Sequence, residues 1–170
     1  PIAFLLIIFM VNAVNLTDGI DGLASSVTFV VMLAYVIAAG VLNYFHLAVY
    51  AAAVAGGCAG FLLWNFHPAK VFMGDTGSMY LGGAVTALAF CMSRPELLLF
   101  FGFIYICEAG SVVIQVSYFK ATHGKRIFKM TPIHHHFELC GWKEEKIVFV
   151  FTAITLVMCV LAYLGVMNRY

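Results

Sequence analysis

Three short stretches of this chain hold side chains that could do chemistry. The first is "NAVNLTDGIDGLA" (12–24), where two aspartates, Asp18 and Asp21, each precede a glycine and two asparagines lie just upstream. Asn12, Asn15 and Asp18 recur every three residues, so a continued helix turns them toward one face. The second is "WNFHPAKVFMGDTGSMYLGG" (64–83), in which Gly74 and Gly77 bracket Asp75-Thr76. Glycines let backbone amides approach a ligand closely, and a helix starting near Ser78 would aim its positive end at a phosphate there. Asp75 is an oxygen donor suited to Mg²⁺, a hard ion that often bridges to substrate phosphates, and Phe72 offers an aromatic face for a base. The third is "KMTPIHHHFELCGW" (129–142), with His134, His135 and His136 in succession. Pro132 before them predicts extended or turned backbone, from which neighbouring imidazoles point in different directions and can grip phosphate or carboxylate.

Each stretch also has a plainer reading. Asp21 or Asp75 can cap a helix, and the histidines can form a metal-binding tract. Lys70 reads best as a snorkelling anchor at a membrane boundary. Glu108 and Gln115, seven apart in an apolar run, read as polar contacts between helices, with Gly110 as a place for a break. His46 and His123 read as interfacial or solvated. The run AAAVAGGCAG (51–60) predicts close helix packing. The five cysteines show no CxxC spacing and read as small buried thiols rather than a disulfide or zinc framework.

The elements that must position these groups are hydrocarbon-soluble. Of 170 residues, 64% are hydrophobic and 10% charged, against about 25% charged in soluble domains. The net charge of +1 gives no reason to expect nucleic acid. A spanning helix takes about 20 apolar residues, which predicts a partial span at Pro1–Val14, then Leu23–Val41, His46–Trp64, Met79–Ser93, Leu97–Tyr118 and Ile147–Met167. The fold class is therefore all-α, a polytopic transmembrane bundle forming one domain over 1–170. Alternating the loops puts Lys70, Lys120, Lys125, Arg126, Lys129, Lys143 and Lys146 on one side and Arg94 and Arg169 on the other. The positive-inside rule makes the first side cytoplasmic. All three aspartates and the histidine triplet fall on that side, and charge at a hydrocarbon boundary faces a polar cavity, so the three stretches should converge.

On these motifs, in this order and with apolar spans between them, the whole chain resembles the polyprenyl-phosphate N-acetylhexosamine-1-phosphate transferases. Within them the PIHHHFE form of the third motif resembles the phospho-N-acetylmuramoyl-pentapeptide transferase branch. That resemblance implies ten spanning helices in the bacterial cytoplasmic (inner) membrane, a cytoplasmic active-site cleft and a homodimer. It implies that undecaprenyl phosphate attacks UDP-N-acetylmuramoyl-pentapeptide, giving lipid I and UMP in peptidoglycan synthesis, with Mg²⁺ required. Carried over by motif, Asp75 is the metal-binding aspartate and Asp18 a second essential acid. Asn15 and Asp21 line the nucleoside side, and Phe72 stacks on uracil. Gln115 and His135 fall on nucleoside-contacting positions, His135 also being placed among the catalytic groups, and His134 and His136 belong to the substrate-binding histidine motif. The family's adjacent aspartate pair has no counterpart here. With six spans instead of ten, the chain reads as a C-terminal portion that is inactive alone.

Two alternatives use the same residues: a related transferase taking another UDP-N-acetylhexosamine, and a metal- or proton-coupled transporter. A transporter places its groups near the bilayer midplane, whereas here only Glu108 lies deep in a span; a purely structural subunit gives no reason for three such motifs to share a face. Impermeant-thiol labelling of single-cysteine variants of the full-length protein should place positions 18, 75 and 134–136 on one face of the membrane. Labels on opposite faces would remove the shared pocket.

Overall fold

The computed structural model of the chain describes residues 2–165; Pro1 and the end of the last predicted span, with Arg169, lie outside them. Among the described residues eight helices follow in order: α1 (Ile2–Thr17), α2 (Leu23–Val41), α3 (Phe45–Asn65), α4 (Gly74–Cys91), α5 (Leu97–Phe101), α6 (Phe103–Ala121), α7 (Ile133–Glu138) and α8 (Glu144–Gly165). No strand occurs among the described residues. Three of the helices, α2, α3 and α8, are long and apolar enough to cross a membrane, and α1 contributes a shorter apolar helix.

Helix α2 is the central element. It packs against α3 on one side and α8 on the other, while α1 lies against α4 and α6. Its buried polar atoms are tied to neighbours, as low-dielectric surroundings demand. Thr28 shares a 2.8 Å hydrogen bond with Tyr105 of α6, and the Tyr35 hydroxyl donates to the Val85 carbonyl of α4 at 2.9 Å. Tyr35 also stands edge-on to Phe101, with ring centroids 4.8 Å apart. In contrast α3 and α8 leave long apolar faces open, with Val49, Leu63, Phe149 and Val157 exposed. Such a surface suits lipid.

Helices occupy the positions of the six expected spans, but among the described residues only α2, α3 and α8 have the length and apolar character to cross a membrane, and three further differences stand out. The fifth is not continuous: it breaks at Gly102 into α5 and α6, where a Cβ would meet the Leu98 carbonyl and the Met10 side chain. Gly110, the expected break, lies inside α6. Helix α4 starts at Gly74 rather than near Ser78, so Asp75 and Gly77 belong to its first turn. The AAAVAGGCAG run buries Ala51, Val54, Ala55 and Cys58, but added methyls on Gly56, Gly57 and Gly60 would meet nothing. Its glycines face away from the packing that alanine and valine make. Of the cysteines, all free, Cys58 and Cys159 are buried as expected, but Cys91 and Cys140 are exposed.

Close approach occurs elsewhere. A Cβ on Gly82 of α4 would lie 2.7 Å from the Cα of Val11 in α1, so only hydrogen fits between these two backbones. Gly82→Ala should destabilise the full-length protein in detergent by about 1–3 kcal/mol. Gly83→Ala, where nothing lies within 4 Å, should stay within about 0.5 kcal/mol of wild type. Thermal or denaturant unfolding of the pair checks the contrast, and equal effects would remove the α1–α4 contact as the cause.

Candidate functional site

The first two motifs meet where α1 ends and α4 begins. Asn15, in the last turn of α1, donates from Nδ2 to Asp75 Oδ1 at 3.1 Å and to Ser78 Oγ at 2.9 Å. Ser78 is buried and its hydroxyl turns back to the carbonyls of Gly74 and Asp75 at 3.1 and 3.3 Å. The Asp75 carboxylate is thus held beside the start of a helix, whose first amides lack partners within it and whose dipole favours negative charge. Asp18 sits just beyond α1. Burial first, and then the negative charge of Asp75, push its carboxyl up to about 6. A cation between the two acids would relieve that repulsion. Asn12 does not join them; it donates to the Ile8 carbonyl of its own helix at 2.8 Å.

The second meeting involves Asp21. Gly22, at φ +77°, turns the chain into α2, and Asp21 caps nothing there. Its Oδ2 instead accepts from the Ala69 backbone N–H at 2.9 Å and lies 3.1 Å from His67 Nδ1. Glu144, in the first turn of α8, has its Oε2 3.5 Å from the same His67 nitrogen. The α3–α4 loop is held further back by Asn65, which is buried. Its Oδ1 accepts from Ser25 at 3.0 Å and its Nδ2 donates to the Val71 carbonyl at 3.0 Å. From this pinned loop Phe72 stands 73% exposed, its ring open to stack on a planar ligand. Lys70 lies over the Trp64 ring at 5.6 Å.

The third motif departs from the extended or turned backbone expected after Pro132, being helical instead. Pro132 is extended and serves as the N-cap residue of α7, and all three histidines lie on that helix. They still diverge. His134 is completely buried and its Nδ1 lies 3.0 Å from Oε2 of the equally buried Glu108. His134 Nε2 presses against Gly19, where a Cβ would stand 2.3 Å from it. His135 pairs through Nδ1 with Glu138. His136 Nδ1 accepts the Lys129 N–H at 3.1 Å, and its ring meets Phe128 edge-on. Behind them Phe137 packs on Trp142 and Phe151, seating α7 on α8.

Gln115 is spent in the same way as His134. Its Oε1 accepts from the N–H groups of Ile127 and Phe128, both at 3.0 Å, and its Nε2 donates to the Phe128 carbonyl at 3.2 Å. Gln115, expected to touch a nucleoside, and His134, expected in the substrate-binding histidine motif, are both buried here and hold the loops that carry the exposed groups. Ser78, Asn65, His67 and Glu144 were not singled out in the sequence. Among them only the Asn65 position, at the polar end of an apolar run, gave any signal. An apolar groove of about 340 Å³ runs between α3 and α4, lined among others by Tyr50, Val54, Phe61 and Leu81, and it reaches Met73 and Gly77 on either side of Asp75.

The fold and the acidic, glycine-flanked junction belong to an all-helical, membrane-type bundle, and residues 1–93 match the model of glycosyl transferase family 4. The chain belongs to that family. Among its relatives, a phospho-N-acetylmuramoyl-pentapeptide-transferase of Acetivibrio thermocellus is 52% identical over 171 residues, covering 100% of this chain and 52% of the relative. The enzymes of the same name from Caldicellulosiruptor bescii and Clostridioides difficile are each 52% identical, covering 95% and 98% of this chain and 50% and 52% of theirs. The chain therefore spans about half the length of the curated relatives it matches.

Asp18 supplies a pH test. Because its carboxyl lies at about 6 against an ordinary 3.8, ionising it opposes folding. The cost is absent below the ordinary value and complete above about 6. Without divalent ions, Asp18→Asn should therefore unfold at a higher temperature than wild type at neutral pH, the gap closing as pH falls through that window. A gap that widens on acidification would contradict the crowding of Asp18 against Asp75.

Proposed function

We propose that this chain carries the metal and nucleotide side of an enzyme that transfers phospho-N-acetylmuramoyl-pentapeptide from its UDP-linked form to undecaprenyl phosphate, yielding lipid I and UMP. The observation that carries the reading is the junction of Asn15, Asp18, Asp75 and Ser78 at the open end of α4. The three relatives bear that enzyme's name over nearly all of this chain.

In this reading an oxygen of the lipid phosphate attacks the β-phosphorus, the bond from that phosphorus to the oxygen bridging to the α-phosphate breaks, and UMP departs with that oxygen. Phosphoryl transfer asks a protein mainly for position and charge neutralisation. The donors at Asp75 and Asp18 are all oxygen, which fits Mg²⁺. These two acids would hold it, and the ion supplies charge neutralisation on the pyrophosphate. Asn15 keeps the Asp75 carboxylate aimed, and the first amides of α4 offer donors to phosphate oxygens. Phe72 stacks on uracil, and Asp21, fixed by Ala69, borders the nucleoside. His135 and His136, on the exposed side of α7, face the substrate phosphates or sugar, while His134 and Gln115 hold their loops in place. The groove beside Met73 and Gly77 gives an apolar tail a route from lipid to Asp75.

The same reading sets these loops at the cytoplasmic face of the bacterial inner membrane, in a multi-pass homodimer. The cytoplasmic placement is supported by the gathering of the three motif loops at one end of the bundle, the side to which the alternation of loops also assigns the seven basic residues. In full-length protein, Asp75→Asn should lower Mg²⁺-dependent UMP release by at least about a hundredfold. Wild-type turnover would remove Asp75 from the metal. Offering UDP-N-acetylglucosamine beside the muramoyl-pentapeptide nucleotide decides between this substrate and another UDP-N-acetylhexosamine.

A further inference from the structure

We infer that Asp21, His67 and Glu144 form a second cation site, beside the nucleoside that Asp21 borders, for a divalent transition ion of the zinc type. Binding of the ion goes beyond the transferase reading and does not rest on it; only the neighbouring nucleoside does. The three groups come from three segments: the α1–α2 loop, the α3–α4 loop and the first turn of α8. One ligand atom from each lies within 4.8 Å of the other two.

Hydrogen bonds join the three groups, but they leave one contact, Glu144 to His67, that no shared hydrogen serves. Both carboxylate oxygens approach the same ring nitrogen, Asp21 Oδ2 at 3.1 Å and Glu144 Oε2 at 3.5 Å from His67 Nδ1. That nitrogen bears at most one hydrogen, so it cannot serve both acids well. Ligand atoms sharing one small cation do stand this close. Tetrahedral ligands at the usual zinc distances lie roughly 3.3–3.6 Å apart. The carboxylates are also aimed from behind: the Ala69 N–H donates to Asp21 Oδ2 at 2.9 Å, and the Asp21 N–H reaches Glu144 Oε2 at 3.4 Å. Such supporting bonds are what orient metal ligands.

The donor set selects the ion. An imidazole with two carboxylates suits zinc, cobalt or nickel better than Mg²⁺, which takes oxygen alone. Two negative charges match a divalent ion, and three protein ligands leave a position for water. The side chains are partly exposed, at 37% for His67, 20% for Asp21 and 32% for Glu144, so an ion can enter from solvent. Once bound it cross-links the loop after α3 to the ends of two other elements, on the same face as Asp75.

The test uses full-length protein in detergent, with Co²⁺ as a visible probe and Zn²⁺ as competitor. Wild type should give a Co²⁺ d–d band that Zn²⁺ displaces and that survives Asp75→Asn. His67→Gln and Glu144→Gln should each weaken Co²⁺ binding by at least the roughly 10–100-fold lost when a group behind a ligand is removed. Zn²⁺ should raise the unfolding temperature of wild type, as a ligand of the native state must, and not that of His67→Gln. A band that is absent, that persists undiminished in both glutamine variants, or that disappears only in Asp75→Asn overturns the site. Because the readouts are spectroscopic and thermal, failure of the transferase reading leaves this result untouched, and the reverse holds too.

Discussion

A carboxylate and an imidazole, both wholly out of solvent, hold the far end of this bundle together. Glu108 comes from α6 and His134 from α7, and each would be costly to bury without the other. Their pairing fixes α7 against α6, and the imidazole then presses on Gly19, which has no side chain to keep it away. Through that one contact the histidine motif is brought against the loop that carries Asp18 and Asp21. Glu108 Oε1 and His134 Nε2 keep no further protein partner. The pair is therefore specified by position rather than by saturation of its bonds.

From this follows a division of labour among polar residues. Asn65, Gln115, His134 and Ser78 are buried, and their hydrogen bonds run to backbone or to other side chains. Phe72, Asp75, His135 and His136 stand nearer solvent on the segments those buried groups secure. An acid crowded by another acid, as Asp18 is by Asp75, has an unfavourable position that a bound cation would relieve. Sites commonly carry such unfavourable arrangements, stabilised by the rigid elements around them.

Much of the architecture was legible because apolar runs in lipid-like proportion have few alternatives. The bounds of α2 and α3 follow directly from where the hydrophobic stretches stop. Helix ends were harder to read. Asn43, Ser93 and His123 adopt positive φ at the ends of α2, α4 and α6, and the next residue donates back five positions in each case, Tyr44 to Ala39, Arg94 to Ala89 and Gly124 to Phe119. Glycine usually marks this cap and asparagine sometimes does; only Asn43 gave such a signal, and Ser93 and His123 gave little. The three motifs were visible as chemistry, and their gathering could be argued from charge and sidedness. The conformation of the histidine stretch could not. A six-residue helix depends on the Phe137–Trp142 and Phe137–Phe151 packing, which is tertiary. The partnership of His67 with Asp21 and Glu144 joins positions 46 and 77 residues apart, and nothing local in the chain encodes it.

Gln115 shows how an irregular stretch survives beside a hydrocarbon boundary. Residues 127 and 128 lie outside any helix, with Ile127 half exposed, and their peptide groups take fixed partners from within the bundle. One carboxamide gives them two acceptances and one donation. That is the complement a neighbouring strand would offer. A single side chain has become a one-residue stand-in for a sheet, and the chain is free to wander for the length of a loop before returning to the bundle.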